Sequence, residues 1–240
     1  MSVEQTTAPL FCIAHRGGLG YAPENTLPAF ANALSIGADA IEIDVWKLGE
    51  ELLVTHDRRL GRHIPGIGLL LNYSARELRK IPLGEGIRVP ILREVLQLLN
   101  GRIELNIELK GGDCATAVAA ELESFVRDTN GSFDSYLVSS FDHHQLYRFK
   151  QLLPAVRRGV LVAHNPLDHA QCCEALDAYS LHPNLSSLQQ AMIDDAHRRG
   201  LKVFVYTVNE EDDWKMMVEM RVDGVFTDYP ERLLAMNAGN

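Results

Sequence analysis

Along the second half of the chain, apolar residues recur in short runs with a regular period. β-prone runs begin near Tyr136, Arg158, Tyr179, Lys202 and Val222, which are 22, 21, 23 and 20 residues apart. The segments between them carry helical spacing instead. In Leu188–Arg199, Ala191, Met192 and Ala196 alternate with charges, and Asp142–Leu153 and Asn209–Met220 read the same way. Gly200 and Pro154 stand where a helix ends in a glycine or is followed by a proline. In the first half, strands are predicted at Phe11–Ala14, Ala40–Val45 and Ile103–Leu109, with helices near Leu27–Ser35, Ile91–Leu99 and Ala115–Val126.

Strand–helix alternation implies right-handed βαβ units and a parallel sheet. Three strands and then five make eight. Eight such units in 240 residues predict an α/β fold, a TIM (β/α)8 barrel formed as one domain over residues 1–240. The rival is an open doubly wound sheet, because a period does not by itself demonstrate closure. The long gap between the second and third barrel strands holds a further strand-like run, Glu51–His56, and a Gly- and Pro-rich patch from Gly61 to Gly68. This segment, about residues 57–90, is predicted to be a small insertion after the second barrel strand, at the top of the barrel.

Composition narrows the function. With 23 Lys and Arg against 32 Asp and Glu, the formal net charge is −9. That balance argues against non-specific binding of nucleic acid or an anionic membrane, which needs clustered cations. Four cysteines without metal-ligand spacing point to a reduced, intracellular protein. Met1–Leu10 lacks a basic region followed by an apolar one, and no run of about 18 apolar residues spans a membrane. A cytoplasmic enzyme is expected.

In α/β barrels, functional residues gather just beyond the C-terminal ends of the strands. Those positions hold His15 and Arg16, the pair Glu42 and Asp44, His56-Asp57, Glu108 and Lys110, Ser139-Ser140-Phe141, His182, Thr207 with Asn209, and Thr227-Asp228. Residues two apart on a strand share a face, so Glu42 and Asp44 point together, as do Glu108 and Lys110. Unpaired buried carboxylates are costly, and a divalent cation removes the cost. Three carboxylates without cysteine suit a hard ion, Mg²⁺ or Ca²⁺. Ion pairing is the alternative, with Lys110 neutralising Glu108 and Arg16 holding Glu42 and Asp44. His15 and His56 suit a general acid–base pair, and Arg16 and Lys110 supply positive charge for a phosphate. Gly17-Gly-Leu-Gly20 is no dinucleotide loop, because Pro23 occupies the place of its third glycine.

These motifs resemble the glycerophosphodiester phosphodiesterase family, cytosolic bacterial type. The resemblance is carried by His15-Arg-Gly17, Pro23-Glu-Asn-Thr26, Glu42-x-Asp44, His56-Asp57 and Glu108-x-Lys110. It continues through Ser139-Ser-Phe141, Thr207-Val-Asn209 and Asp223-Gly…Thr227-Asp-x-Pro230, from about residue 11 to residue 233. It implies a TIM barrel with metal ligands Glu42, Asp44 and Glu108, an acid–base pair of His15 and His56, and Arg16 and Lys110 on the phosphate. The implied reaction is metal-dependent hydrolysis of glycerophosphodiesters, such as glycerophosphocholine or glycerophosphoethanolamine, to sn-glycerol 3-phosphate and an alcohol. The implied partner is a small-molecule glycerophosphodiester, with self-association into a homo-oligomer left open.

Two departures fall where the family shapes its alcohol pocket: the Leu-x-Arg stretch, Leu60-Gly-Arg62, runs into His63-Ile-Pro-Gly66 in place of a Thr-containing turn, and Val89-Pro-Ile-Leu-Arg-Glu94 replaces a commoner Pro-Thr-Leu-Glu-Glu pattern. An alternative is a lysophospholipase D-like or phosphoinositide-cleaving enzyme, for which Ile64, Ile67 and Leu69–Leu71 would offer an apolar approach. A non-catalytic barrel binding metal or phosphate and acting through a partner would be expected to lack a histidine or an acid, and none is missing.

Overall fold

The structure, a computed structural model, describes residues 9–239, so the reading of the N-terminal stretch falls mostly outside them. β1 (Phe11–Ala14) leads through α1 (Leu27–Ser35) to β2 (Ala40–Leu48), which folds back antiparallel as β3 (Glu51–Val54). There follow α2 (Ala75–Leu78), a hairpin of β4 (Pro82–Gly84) and β5 (Ile87–Arg88), and α3 (Leu92–Leu99). Alternation then becomes regular: β6 (Glu104–Leu109), α4 (Cys114–Thr129), β7 (Tyr136–Ser140), α5 (His143–Leu152) and β8 (Arg157–Val162). After a 3-10 stretch over Gln171–Leu176 come β9 (Ser180–Pro183), α6 (Gln190–Arg198), β10 (Lys202–Val205), α7 (Glu211–Glu219), β11 (Gly224–Thr227) and α8 (Pro230–Gly239).

Eight of these strands, β1, β2 and β6 to β11, pair in parallel. β1 closes the ring by pairing with β2 (Ile13 opposite Ala40) and with β11 (Phe11 opposite Gly224). The fold is therefore a TIM barrel, and the open sheet is excluded. The second strand is longer than its sequence suggested: it runs to Leu48 because β3 supplies it with an antiparallel partner, Val45 opposite Val54.

Alternate side chains of the strands divide between two environments. Ile41, Ile43, Ile107, Val138, Val160, Val203 and Val225 pack against helix residues such as Phe30, Val118, Leu122, Phe149, Met192 and Trp214. Ile13, Ala40, Phe204 and Phe226 form a separate cluster with Phe11, Tyr179 and Tyr206. Two residues beyond Ala40 the same row of β2 turns polar, with Glu42 and then Asp44. A third cluster, including Trp46, Leu53, Ile64, Leu70, Leu78 and Val89, anchors the segment between β3 and α3. There α2 is held by a capping box, in which Ser74 N–H donates to Glu77 at 2.8 Å and Glu77 N–H to the Ser74 hydroxyl at 3.2 Å. Among the described residues no helix is long and apolar enough to cross a membrane.

The strand-end histidine His182 turns out to be interior. It is fully buried, bonded through Nε2 to the Ser180 hydroxyl at 2.7 Å, and packed edge-on against Phe226. Burial without a charged partner pushes it down to about 3, so it is neutral. A Cβ on Gly159 would lie 2.3 Å from His182 Cε1. Gly159→Ala is therefore expected to destabilise the protein by about 1–3 kcal/mol, read from the denaturant midpoint at unchanged slope.

Candidate active site

A cavity of about 390 Å³ opens among residues beyond the C-terminal strand ends, with His15, Arg16, Glu42, His56, Glu108, Lys110 and Phe141 in its wall. Six of the seven predicted site residues line it directly, and the seventh, Asp44, touches two of them. Strand register explains the convergence. Asp44 on β2 lies opposite Glu108 on β6, and Glu42 opposite Asn106. One oxygen from each of Glu42, Asp44 and Glu108 comes within 4.8 Å of the others, and all three residues are buried.

Two turns in unusual backbone conformations complete this cluster. His15–Gly17 form a 3-10 turn in which Arg16 is left-handed (φ 54°), a cost of about 1–2 kcal/mol for a non-glycine residue. That conformation points the Arg16 N–H at Glu42 Oε2, 3.0 Å away, and the Asn25 N–H closes on the Arg16 carbonyl at 2.9 Å. Gly17 must be glycine: its φ is 86°, and a Cβ would lie 2.9 Å from Ala29 Cβ and from Phe30. Asn25 is also left-handed and clamps Asp44 twice, donating through Nδ2 to Oδ2 at 2.8 Å and accepting the Asp44 N–H at 3.2 Å.

Cations occupy the remaining space. Lys110 Nζ is 2.5 Å from Glu108 Oε1 and 3.1 Å from Asp44 Oδ1, and Arg16 Nε is 3.2 Å from Asp44 Oδ2. The ion pairs expected as the alternative to metal binding are thus present. They do not complete the site: among the described residues, Glu42 Oε1, Asp44 Oδ1 and Glu108 Oε1 all lack a hydrogen bond of good geometry, Glu42 Oε1 has no cation beside it, and the other two share the one Lys110 ammonium. One such oxygen on each of three clustered carboxylates suits a hard divalent cation.

The electrostatics agree. Burial, then Asp44 and Glu108, push Glu42 well above the usual carboxylate range. Burial likewise raises Glu108, to about 7, although Lys110 opposes it. Asp44 goes the other way: burial would raise it, but Lys110 and Arg16 hold it low. Burial also works against the charge on Lys110, which Asp44 and Glu108 overcome. Three ionised acids facing two cations would leave one negative charge, and the upward shifts of Glu42 and Glu108 act to reduce it.

Each cavity histidine is held by a carboxylate. His15 Nδ1 is 2.7 Å from Asp228 Oδ1, and Asn209 holds the other Asp228 oxygen at 2.8 Å. His56 Nδ1 is 2.8 Å from Asp57 Oδ1. Donation from Nδ1 leaves Nε2 of each ring available to a substrate. Burial would raise Asp228, but the bond from His15 keeps it low. His56 is lowered by burial and by Lys110 and Arg16, which outweigh Asp44 and Asp57.

Asp57, Asp228 and Asn209 stood in the sequence motifs without an assigned role, and Glu24, Asn25 and Arg62 had none either. Strand-end position marks Asp57, Asp228 and Asn209 without showing what they hold: Asp57 neighbours His56, but Asp228 is 213 residues from His15. Ser140 serves the fold instead, donating to the Leu109 carbonyl at 2.9 Å and accepting the Asp142 N–H at 3.0 Å.

Comparison with known proteins places this geometry. The sequence profile of the glycerophosphoryl diester phosphodiesterase family matches residues 15–232. A glycerophosphodiester phosphodiesterase of Caldanaerobacter subterraneus is 32 % identical over 92 % of this chain and 95 % of its own. One from Bacillus altitudinis is 34 % identical over 91 % and 94 %. An Oleispira antarctica phosphodiesterase, solved with its product sn-glycerol 3-phosphate, superposes with a TM-score of 0.84 at 29 % identity, covering 95 % of this chain and 96 % of its own.

Capture of a cation by the three acids must displace protons from Glu42 and Glu108. Raised carboxyls are protonated below their pKa, so Mg²⁺ or Ca²⁺ affinity is expected to fall as pH drops through about 7. Isothermal titration calorimetry across pH, in buffers of different ionisation enthalpy, reads both the affinity and the proton release. Glu108→Gln is expected to weaken binding at least tenfold or so; an unchanged isotherm would leave the cluster as ion pairs alone.

Proposed function

The chain belongs to the glycerophosphoryl diester phosphodiesterase family and is a phosphoric diester hydrolase. From that premise we propose that it hydrolyses glycerophosphodiesters, such as glycerophosphocholine or glycerophosphoethanolamine, to sn-glycerol 3-phosphate and an alcohol. The observation that carries this reading is the meeting of three incompletely bonded carboxylate oxygens and two carboxylate-held histidines at one cavity. The glycerol 3-phosphate bound by the Oleispira antarctica relative supports the product.

Glu42, Asp44 and Glu108 would hold Mg²⁺ or Ca²⁺. When bound, the ion supplies Lewis acidity and neutralises charge at substrate oxygens. Arg16 and Lys110 already face the acids, so a second positive partner for Asp44 and Glu108 frees them to meet the phosphate. Three acids, two cations and a divalent ion sum to one positive charge, so the site attracts a singly charged phosphodiester. His15 and His56 transfer the protons through Nε2: one takes a proton from the nucleophile, and the other gives one to the departing alcohol. Asp228 and Asp57 hold the rings in the tautomer this requires. The four free cysteines fit a reducing compartment, and we place the enzyme in the cytoplasm.

A second reading, action on lysophospholipids, is favoured by one feature. Ile64 and Leu70 pack inside the segment after β3, but Ile67 is 86 % exposed and Leu71 57 % exposed. Activity on lysophosphatidylcholine exceeding that on glycerophosphocholine would favour that reading.

Glycerol 3-phosphate release, measured across several glycerophosphodiesters, is expected to vanish in EDTA and return with Mg²⁺ or Ca²⁺. Full activity in chelator would remove the metal from the reaction. His15→Ala and His56→Ala are each expected to lower kcat by at least about 10²-fold with the fold intact. Losses below tenfold at both would end their acid–base assignment.

A further inference from the structure

Arg62 lies in the segment after β3, in the turn closed by the bond from the Gly61 N–H to the Ile64 carbonyl at 2.9 Å. It is 54 % exposed, yet its guanidinium is almost fully committed. Nε donates to Asp57 Oδ2 at 2.7 Å, and Nη2 to Asp57 Oδ1 at 3.0 Å. Nη2 also donates to Glu24 Oε1 at 2.6 Å, and Nη1 to Glu24 Oε2 at 3.1 Å. Four of the five N–H donors of an arginine are thereby spent on two carboxylates. Each of these acids in turn holds a residue in the cavity wall: Asp57 holds His56, and Glu24 Oε1 accepts from Arg16 Nη1 at 3.0 Å. Arg62, Glu24 and Asp57 do not themselves line the cavity.

We propose that Arg62 is a positioning residue, a fork contributed by the segment after β3 that fixes the His56–Asp57 pair and ties it to the Arg16–Glu24 pair. Its geometry suits this task and not substrate binding, because a single N–H remains free. The fork also distinguishes the two histidines. Asp228, behind His15, is held by the neutral amide of Asn209, whereas Asp57 shares its negative charge with a guanidinium. Less of that charge is left to favour a proton on His56. The other charged groups acting on His56 are Asp44, Lys110 and Arg16, none of which touches Arg62. A lysine cannot replace the fork, since one ammonium does not present two parallel donor pairs to two carboxylates.

This proposal rests on the reading of His56 as a proton-transfer residue, and the two can fail separately. Retained activity in His56→Ala would sink that reading. The link to Arg62 is tested by ¹⁵N NMR titration of the histidines in Arg62→Gln, which reports on His56 whatever its role. Arg62→Gln is expected to raise the His56 titration. Its kcat should fall about tenfold to hundredfold, and the pH-profile limb belonging to His56 should move to higher pH. An unmoved His56 titration, an equal shift of both histidines, or an unchanged kcat would overturn the proposal. Arg62→Lys, which restores the charge without the fork, is expected to return the His56 titration toward its original value while kcat stays depressed. Full recovery of kcat by lysine would reduce Arg62 to a source of charge and overturn the positioning role.

Discussion

Three carboxylates held within 4.8 Å of one another, all buried, set the terms for the rest of this molecule. Moving one ionised carboxylate out of water costs several kcal/mol, and like charges at such separations repel further. The structure meets that cost from every side. Arg16 and Lys110 approach from β1 and β6, Asn25 bonds Asp44 twice, and Glu42 moves toward its protonated form. What stays uncompensated is one oxygen of Glu42, while Asp44 and Glu108 share a single ammonium, a shortfall that a divalent ion suits. The barrel makes the cluster possible because closure and register place Asp44 beside Glu108 on neighbouring strands, with apolar neighbours directed the other way.

Around that centre the chain accepts local strain in return for alignment. Arg16 and Asn25 both take left-handed backbone, and each uses it to aim a polar group at the acids. Backbone strain of this kind persists where the surroundings over-determine it. Here the determinants are Gly17, packed too closely for a side chain, and the helix start at Thr26, whose hydroxyl donates to the Pro23 carbonyl at 2.6 Å. The two cavity histidines are set on the same plan, each held by a carboxylate: His15 by Asp228, 213 residues away, and His56 by its neighbour Asp57. Arg62, which ties Asp57 to Glu24, comes from the segment after β3, just before the chain departs from the motifs it otherwise resembles.

Much of this was legible from residue order. The period of the second half foretold the alternation, and two-residue spacing on a strand put Glu42 with Asp44 and Glu108 with Lys110. Reading strand ends found the residues that face the cavity, because direction along a strand is a local property. It found Asp57, Asn209 and Asp228 as well, but not what each of them holds. Asp228 reaches His15 only because the last strand closes against the first, and Glu24, Arg62 and Asp57 meet only through the packing of the segment after β3. His182 looked like another strand-end group, but Gly159 leaves the space in which its ring is buried. Spacing already offered Arg16 and Lys110 as partners of the acids; what needed the fold was the reach of Lys110 to Asp44 on the neighbouring strand.

The central claim is that the acidic cluster is a cation site whose filling turns two cations from the acids toward a phosphate. The most direct measurement is a crystal structure grown with Mn²⁺ and glycerol 3-phosphate, using anomalous scattering to locate the ion. The account predicts an anomalous peak bounded by Glu42, Asp44 and Glu108, with Lys110 and Arg16 drawn onto the phosphate. No peak there, with Lys110 still bridging Asp44 and Glu108 while glycerol 3-phosphate is bound, would contradict it.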